Sequence, residues 1–147
     1  MSEYLLISFK NQLTEIERLG QVVEGFAESH GLPPKLTFEL NVALEEILTN
    51  VISYGYNDAA EHDILLRLAY ANETVTAEVE DGGQPFNPLA APPPDTNAPL
   101  EERRVGGLGI HLVRKLMDSV DYRREEEKNR LTMQKRVTAN PSRTRDA

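Results

Sequence analysis

A carboxylate and a carboxamide lie one helical turn apart in a stretch of sequence that is otherwise apolar. Glu46 and Asn50 occupy positions i and i+4, so their side chains meet on one face of a predicted helix. The carboxamide oxygen of Asn50 is a hard ligand suited to Mg²⁺, and the carboxylate of Glu46 can accept a proton from a hydroxyl group. The alternative is a solvated helix edge that binds nothing.

Two glycine-marked segments further along the chain carry groups that would complete a nucleotide site. Asp81-Gly82-Gly83 follows a predicted strand, where a carboxylate can accept a hydrogen bond from an exocyclic amine such as that of adenine. Glycine beside it lets a flat ring approach the backbone. The alternative is an ordinary Asp-Gly turn.

The second segment, Gly106-Gly107-Leu108-Gly109, reads as a loop that leads into a helix. Free backbone amides and the dipole at a helix N-terminus favour phosphate. The segment is not a P-loop, because no Gly-Lys-Ser/Thr follows it. The alternative is a flexible hinge.

The elements that must position these groups follow the order strand, two helices, two strands, proline-rich lid, helix, two strands. Strands are predicted at residues 4–10, 63–70, 74–80, 120–124 and 129–137, and helices at 11–30, 35–53 and 109–117. Because the helices do not alternate one-for-one with strands, a doubly wound parallel sheet is disfavoured. We predict an α+β two-layer sandwich with helices on one face of a mostly antiparallel mixed sheet.

Apolar residues at helical spacing mark the buried faces of the first two helices. In the first helix they are Leu13, Ile16, Leu19, Val23 and Phe26. In the second they are Leu40, Leu44, Ile47, Leu48 and Val51, with Glu46 and Asn50 on a neighbouring stripe.

Length and composition bound the organisation of the chain. At 147 residues we predict one domain over residues 1–137, with a lid at 87–105 and a disordered tail at 138–147. A net charge of -8 makes nucleic acid a poor partner. The sequence has no cysteine, no signal-peptide pattern and no apolar run of membrane-spanning length, so we expect a cytoplasmic protein.

Taken together, the segments resemble the GHKL (Bergerat) ATP-binding fold of gyrase, heat-shock chaperones and sensor histidine kinases. Within it, the short chain is similar to the bacterial anti-sigma-factor serine kinases. The resemblance spans roughly residues 5–137 and is carried by Glu46-Ile47-Leu48-Thr49-Asn50, Tyr54-Gly55-Tyr56, Asp81-Gly82-Gly83-Gln84-Pro85-Phe86-Asn87-Pro88 and Gly107-Leu108-Gly109-Ile110-His111-Leu112.

The resemblance implies a role for each matched residue. Asn50 would hold Mg²⁺, and Glu46 would be the general base. The residues implied to bind ATP are Asp81 and Gly83 at the adenine, Gly107, Leu108 and Gly109 at the phosphates, and Thr132 on the strand beside the adenine. Without the resemblance, Thr132 would read as an ordinary β-branched strand residue.

Two positions depart from the family pattern. Tyr54 stands where the family often has a histidine at the edge of the site. Val105 stands where family kinases place an arginine that faces the γ-phosphate, and Arg103 and Arg104 are displaced from it by one or two residues. Arg104 on the lid is the catalytic arginine that we expect, because a guanidinium is the group that pairs best with a phosphate.

The function implied is that of an ATP- and Mg²⁺-dependent serine/threonine kinase that phosphorylates a STAS-domain anti-anti-sigma protein. The resemblance also implies a sigma factor and a second copy of the chain as partners. The alternative is an ATP-dependent switch that holds a partner without phosphoryl transfer. A detached histidine-kinase domain is disfavoured, because no helix with a phosphoacceptor histidine is visible.

Overall fold

The computed structural model describes residues 3–90 and 105–137. Its elements are, in chain order, β1 (Glu3–Lys10), α1 (Glu15–His30), α2 (Pro34–Tyr54), β2 (Asp63–Ala71), β3 (Thr74–Asp81), a 3-10 turn (Pro88–Ala90), α3 (Val105–Leu116), β4 (Ser119–Glu125) and β5 (Lys128–Arg136). The predicted order of elements is confirmed. Most of the predicted lid, residues 91–104, and the predicted tail, 138–147, lie outside the described residues.

The five strands form one sheet in the order β1-β2-β3-β5-β4. All four ladders are antiparallel, so the expected mostly antiparallel sheet contains no parallel pair in this part of the chain. The ladders place Asp81 at the end of β3 opposite Asn129 at the start of β5. That pairing fixes the end of the inner strands at which the site lies.

A tight turn joins the two strands of each hairpin. Asn72 and Glu73 turn β2 into β3 with φ of 53° and 58°, and Glu126 and Glu127 turn β4 into β5 with φ of 54° and 62°. Positive φ at both central residues is the geometry that matches the twist of hairpin strands. The glutamates adopt it because strand pairing on both sides imposes it.

The first helix begins later than its apolar spacing predicts. The chain continues as an extension of the β1–β2 ladder, with the Asn11 amide donating to the His62 carbonyl at 3.0 Å. The helix starts at Glu15, whose carboxylate accepts from the Lys10 amide at 2.9 Å. Leu13 therefore lies outside the helix with 59% of its surface exposed, and its predicted place in the core is wrong.

Helix α2 is the centre of the helical layer, since both α1 and α3 pack against it. Its predicted apolar stripe is confirmed, because Leu40, Leu44, Ile47, Leu48 and Val51 are all buried. The stripe faces the inward side chains of the central strands, which include Leu66, Leu68, Val75, Ala77, Val79 and Leu131. This packing fixes the position of α2 on the sheet, close to the end of β3 that carries Asp81.

We expect the two faces of α2 to differ sharply in their contribution to stability. Leu40→Ala should lower the free energy of unfolding by about 2–5 kcal/mol, because Leu40 is 1% exposed. Phe38→Ala on the same helix should change it by about 0.5 kcal/mol or less, because Phe38 is 68% exposed. Urea unfolding followed by circular dichroism measures both, and equal losses would contradict this placement of α2.

Candidate nucleotide-binding site

Asn50 is buried at the polar edge of α2. Only 3% of its surface is exposed, and its Nδ2 has no hydrogen-bond partner among the described residues. An unpartnered buried amide costs about 1–3 kcal/mol, which a ligand would recover. Because Nδ2 is a donor, it fits a ligand that supplies an acceptor, such as a phosphate oxygen, and Oδ1 is the atom of this side chain that could bind a cation.

Glu46 lies one turn before Asn50, between α2 and α3. A methyl group added to Gly109 would overlap the Glu46 carboxylate, so α3 lies close to this side chain, which would have to turn aside for any larger residue. Partial burial, followed by the charge of Glu45, raises the pKa of Glu46 above its ordinary value. A carboxylate with a raised pKa is better matched to accepting a proton near neutral pH.

Asp81 ends β3 with only 5% of its surface exposed. Its Oδ1 accepts two hydrogen bonds, from the Gly83 amide at 2.8 Å and from Asn129 Nδ2 at 3.0 Å. Burial raises the pKa of Asp81, and these two hydrogen bonds and the nearby Arg124 oppose that rise. Because both hydrogen bonds reach the same oxygen, Oδ2 is left to accept from a ligand.

The loop after β3 is anchored to the end of α2. The Gln84 amide donates to the Gly55 carbonyl at 2.8 Å, and its side chain donates to the Tyr54 carbonyl at 2.8 Å. Gly83 passes so close to Gly55 that an added methyl group would overlap the Gly55 carbonyl oxygen. Glycine is therefore required at position 83, because the backbone there lies against Gly55 at the end of α2. The sequence pattern alone attributes this glycine to the close approach of a flat ring.

These elements line a narrow cavity of about 20 Å³ that opens to solvent. Most of the lining residues are apolar and a few are polar: Ile47, Asn50, Val51, Gly55, Val79, Asp81, Phe86, Pro88, Tyr122, Asn129 and Leu131. An apolar slot with convergent polar groups is the usual form of a site for a flat heteroaromatic ligand. Asn50 and Asp81 thus line the same cavity, and Gly83 lies in the following loop, where its amide donates to Asp81 Oδ1.

Helix α3 begins at Val105, so the glycine segment lies inside the helix rather than in a loop before it. The amides that lack an intrahelical partner are those of the first turn, residues 105–108, which includes Gly107 and Leu108. Gly109 lies one turn in, and its observed role is the contact with Glu46. Arg104, the predicted catalytic arginine, lies outside the described residues.

Thr132 does not join the cavity. Its side chain lies on the open face of the sheet, where the hydroxyl donates to Glu78 Oε2 at 3.4 Å. Side chains alternate along a strand, and the buried neighbours Leu131 and Met133 face the helices instead. The predicted place of Thr132 beside the adenine is therefore not supported by its orientation.

Asn129 is the site residue that the sequence prediction lacks. It is 6% exposed and lines the cavity beside Asp81. The signal that identifies it is parity, because Asn129, Leu131 and Met133 share one face of β5 while Thr132 lies on the other. Its importance becomes visible only when the β3–β5 register places it opposite Asp81.

Comparison with known proteins identifies the family of this chain. A family model described as the histidine kinase-like ATPase domain matches residues 9–135. This chain belongs to the histidine kinase-like ATPase domain family. The predicted superfamily and fold are confirmed.

Curated relatives of this ATPase domain are named as protein kinases. The chain is 28% identical over 99 residues to the serine/threonine-protein kinase BtrW of Bordetella bronchiseptica, covering 67% of this chain and 70% of that protein. It is 27% identical over 128 residues to the serine-protein kinase RsbW of Oceanobacillus iheyensis, covering 82% of this chain and 80% of that protein. The expected likeness to bacterial serine kinases is thereby confirmed.

Solved structures show the same fold. A Mycobacterium tuberculosis structure of RsbU and RsbW domains matches with a TM-score of 0.69 at 15% identity. The match covers 94% of this chain, which spans 33% of that longer chain. The histidine kinase AdeS of Acinetobacter baumannii matches with a TM-score of 0.50 at 15% identity, covering 93% of this chain and 68% of that one.

Two features are absent from residues 3–90 and 105–137 of the ATPase domain. No helix there combines the length and apolar character needed to cross a membrane. No cluster of three or more His, Asp or Glu side chains there could hold a metal ion.

Gly83 provides a test of the packing beneath the cavity. Gly83→Ala should destabilise the fold by about 1–3 kcal/mol, because the methyl group meets backbone that cannot move aside cheaply. Gly82→Ala is the matched control, since a methyl group there meets nothing, and the expected change is about 0.5 kcal/mol or less. Urea unfolding decides the point, and equal stability of the two variants would refute this packing.

Proposed function

We propose that this domain binds ATP and Mg²⁺ in the cavity and phosphorylates a serine or threonine of a STAS-domain anti-anti-sigma protein. The observation that carries the proposal is that Asn50 and Asp81 line one cavity, while Glu46 lies one helical turn before Asn50 and against Gly109 of α3. The printed names of the BtrW and RsbW relatives support the kinase part of it.

The adenine would occupy the apolar part of the cavity, with its exocyclic amine donating to Asp81. The phosphates would lie toward Asn50 and the amides of Gly107 and Leu108, where a helix N-terminus favours negative charge. Mg²⁺ held by Asn50 would neutralise phosphate charge. Gly109 would keep Glu46 at the border between α2 and α3, where the reacting phosphate must lie.

In the transfer step, Glu46 would take the proton of the attacking hydroxyl group. That oxygen forms a bond to the γ-phosphorus, the bond between the γ-phosphorus and the β,γ-bridging oxygen breaks, and ADP leaves. Arg104 would stabilise the charge on the transferred group, as arginines do in other phosphoryl transfers. The phosphate adds about -1.5 to -2 charges to the partner, which favours its release from a protein of net charge -8.

The released domain would then be free to hold a sigma factor, and a homodimer is the assembly we propose for it. A second candidate is an ATP-dependent binding switch without transfer. The observation that favours the switch is Val105 at the first position of α3, where the resemblance places an arginine. The next two experiments separate nucleotide binding from transfer.

Thermal unfolding with ATP and Mg²⁺ tests the site itself. Ligand at 100-fold above its dissociation constant should stabilise the domain by about 2.7 kcal/mol, a rise of roughly 5–11 °C in Tm. Asn50→Ala should lose most of that rise, whereas Asn57→Ala, an exposed asparagine just beyond α2, should keep it. An unchanged Tm for the wild type at millimolar ATP would refute nucleotide binding.

Glu46→Gln separates the enzyme from the switch. The variant keeps the size and polarity of the side chain but cannot accept a proton, so transfer should fall by roughly 100-fold or more while ATP binding remains. Glu24→Gln, at an exposed position of α1, is the control and should stay within a few-fold of the wild type. Transfer is measured with γ-labelled ATP and candidate STAS proteins.

Full transfer by Glu46→Gln would rule out Glu46 as the base. ATP binding by the wild type with no transfer to any STAS protein would favour the switch.

A further inference from the structure

Asn129 is buried at the junction of three strands. It is one of three buried polar residues among the described positions, with Asn50 and Asp81. The ladders place it opposite Asp81 on one side and Arg124 on the other. A carboxamide in this position must satisfy two donors and an acceptor away from water.

The nitrogen of this carboxamide donates in two directions. Asn129 Nδ2 lies 3.0 Å from Asp81 Oδ1 and 2.9 Å from the Gln84 carbonyl oxygen. Both of its hydrogens are thus used, one on the carboxylate at the end of β3 and one on the loop that follows. The side chain therefore joins Asp81 to the loop that carries Gly83.

The oxygen of the same carboxamide accepts three hydrogen bonds. The Tyr122 hydroxyl donates to Asn129 Oδ1 at 2.5 Å, Arg124 Nη1 at 3.2 Å and the Phe86 amide at 3.4 Å. Reversing the carboxamide would set donors against donors, so its neighbours fix its orientation. The Nδ2 atom is consequently held toward Asp81 whether or not a ligand is present.

Arg124 strengthens this arrangement from β4. Its Nη1 also donates to the Gly83 carbonyl at 2.8 Å, while the Gly83 amide donates to Asp81 Oδ1. Both peptide groups of Gly83 are therefore oriented by the same network that orients Asp81. The carboxylate is held through one oxygen, and the other oxygen keeps its full capacity to accept.

We infer that Asn129, backed by Arg124 and Tyr122, is the positioning residue that makes this cavity selective for a purine with an amino group at C6. The inference rests on the proposed binding of ATP in the cavity. By occupying Asp81 Oδ1, Asn129 leaves Oδ2 as an acceptor for the amino group of adenine. The carbonyl oxygen of guanine at the same place would face another acceptor and be repelled.

The charge state of Asp81 supports the same conclusion. The hydrogen bond from Asn129 lowers the pKa of Asp81 against the burial that raises it, Arg124 also lowers it, and Glu80 raises it. Burial, and after it the charge of Asp81, raise the pKa of Tyr56 to about 12, so its phenol stays neutral beside the carboxylate. Removing the Asn129 donor would favour a protonated Asp81, which no longer accepts from an amine as a carboxylate does.

The test compares two nucleotides on one variant. Asn129→Leu should weaken the binding of ATP by roughly 10-fold, the scale of a lost hydrogen bond to a charged group. It should weaken the triphosphate of purine riboside, which has hydrogen at C6, by no more than about twofold, because that ring makes no amine contact. Gln134→Leu, on the open face of the same strand, is the matched control and should change neither affinity.

Equal weakening of both nucleotides would show that Asn129 acts only through the fold, and would overturn the inference. So would unchanged ATP affinity in Asn129→Leu. If Asn129→Leu does not fold, Tyr122→Phe removes one donor to the carboxamide oxygen and should give a smaller loss, about threefold, for ATP alone. A wild type that binds neither nucleotide refutes the proposed function, and the inference with it.

A measurement without nucleotide distinguishes failure of the role of Asn129 from failure of ATP binding. The ¹³C signal of the Asp81 carboxyl group, followed by NMR against pH, should titrate at higher pH in Asn129→Leu than in the wild type. An unchanged titration would overturn the role of Asn129 even if ATP binds. A shifted titration, with both nucleotides weakened equally by Asn129→Leu, would confirm the hydrogen bond between Asn129 and Asp81. It would overturn the proposed selectivity for a purine with an amino group at C6.

Discussion

The pairing of a buried carboxylate with donors at the end of β3 is the constraint on which the site depends. Asp81 is taken out of water by the sheet and by α2, and an unpaired charge there would be costly. Its partners come from two other segments, the Gly83 amide and the Asn129 side chain. The sheet register, the path of the loop and the shape of the cavity must all be correct for this pairing to form.

Helix α2 contributes one stripe of residues to the core and a second stripe to the site. Residues such as Leu44 and Ile47 bury its apolar side, and Glu46 and Asn50 lie about 100° around from them. Because the apolar stripe fixes the rotation of the helix on the sheet, it also fixes where the polar stripe points. The chemistry is therefore positioned by packing energy rather than by contacts between the polar groups.

Glycine contributes to this site by allowing close approach. Gly83 lets the loop pass against Gly55, and Gly109 lets α3 lie against Glu46. Neither has the positive φ that often explains a glycine; among the described glycines only Gly31 does. The sequence marks both positions, but the partner that each accommodates belongs to another element.

The sequence by itself determined the order of the helices and strands and the apolar stripe of α2, because these depend on local periodicity. It also marked Asn50, Glu46, Asp81 and Gly83 as candidate site residues, through their chemistry and the resemblance of their segments to a known family. It placed the start of α1 too early, since ladder pairing at Asn11 and His62 outweighs the helical spacing of Leu13. Only the tertiary structure decided between Thr132 and Asn129. A strand residue reaches the site or misses it according to the face it occupies, and that face is set by the register of β5 against β3.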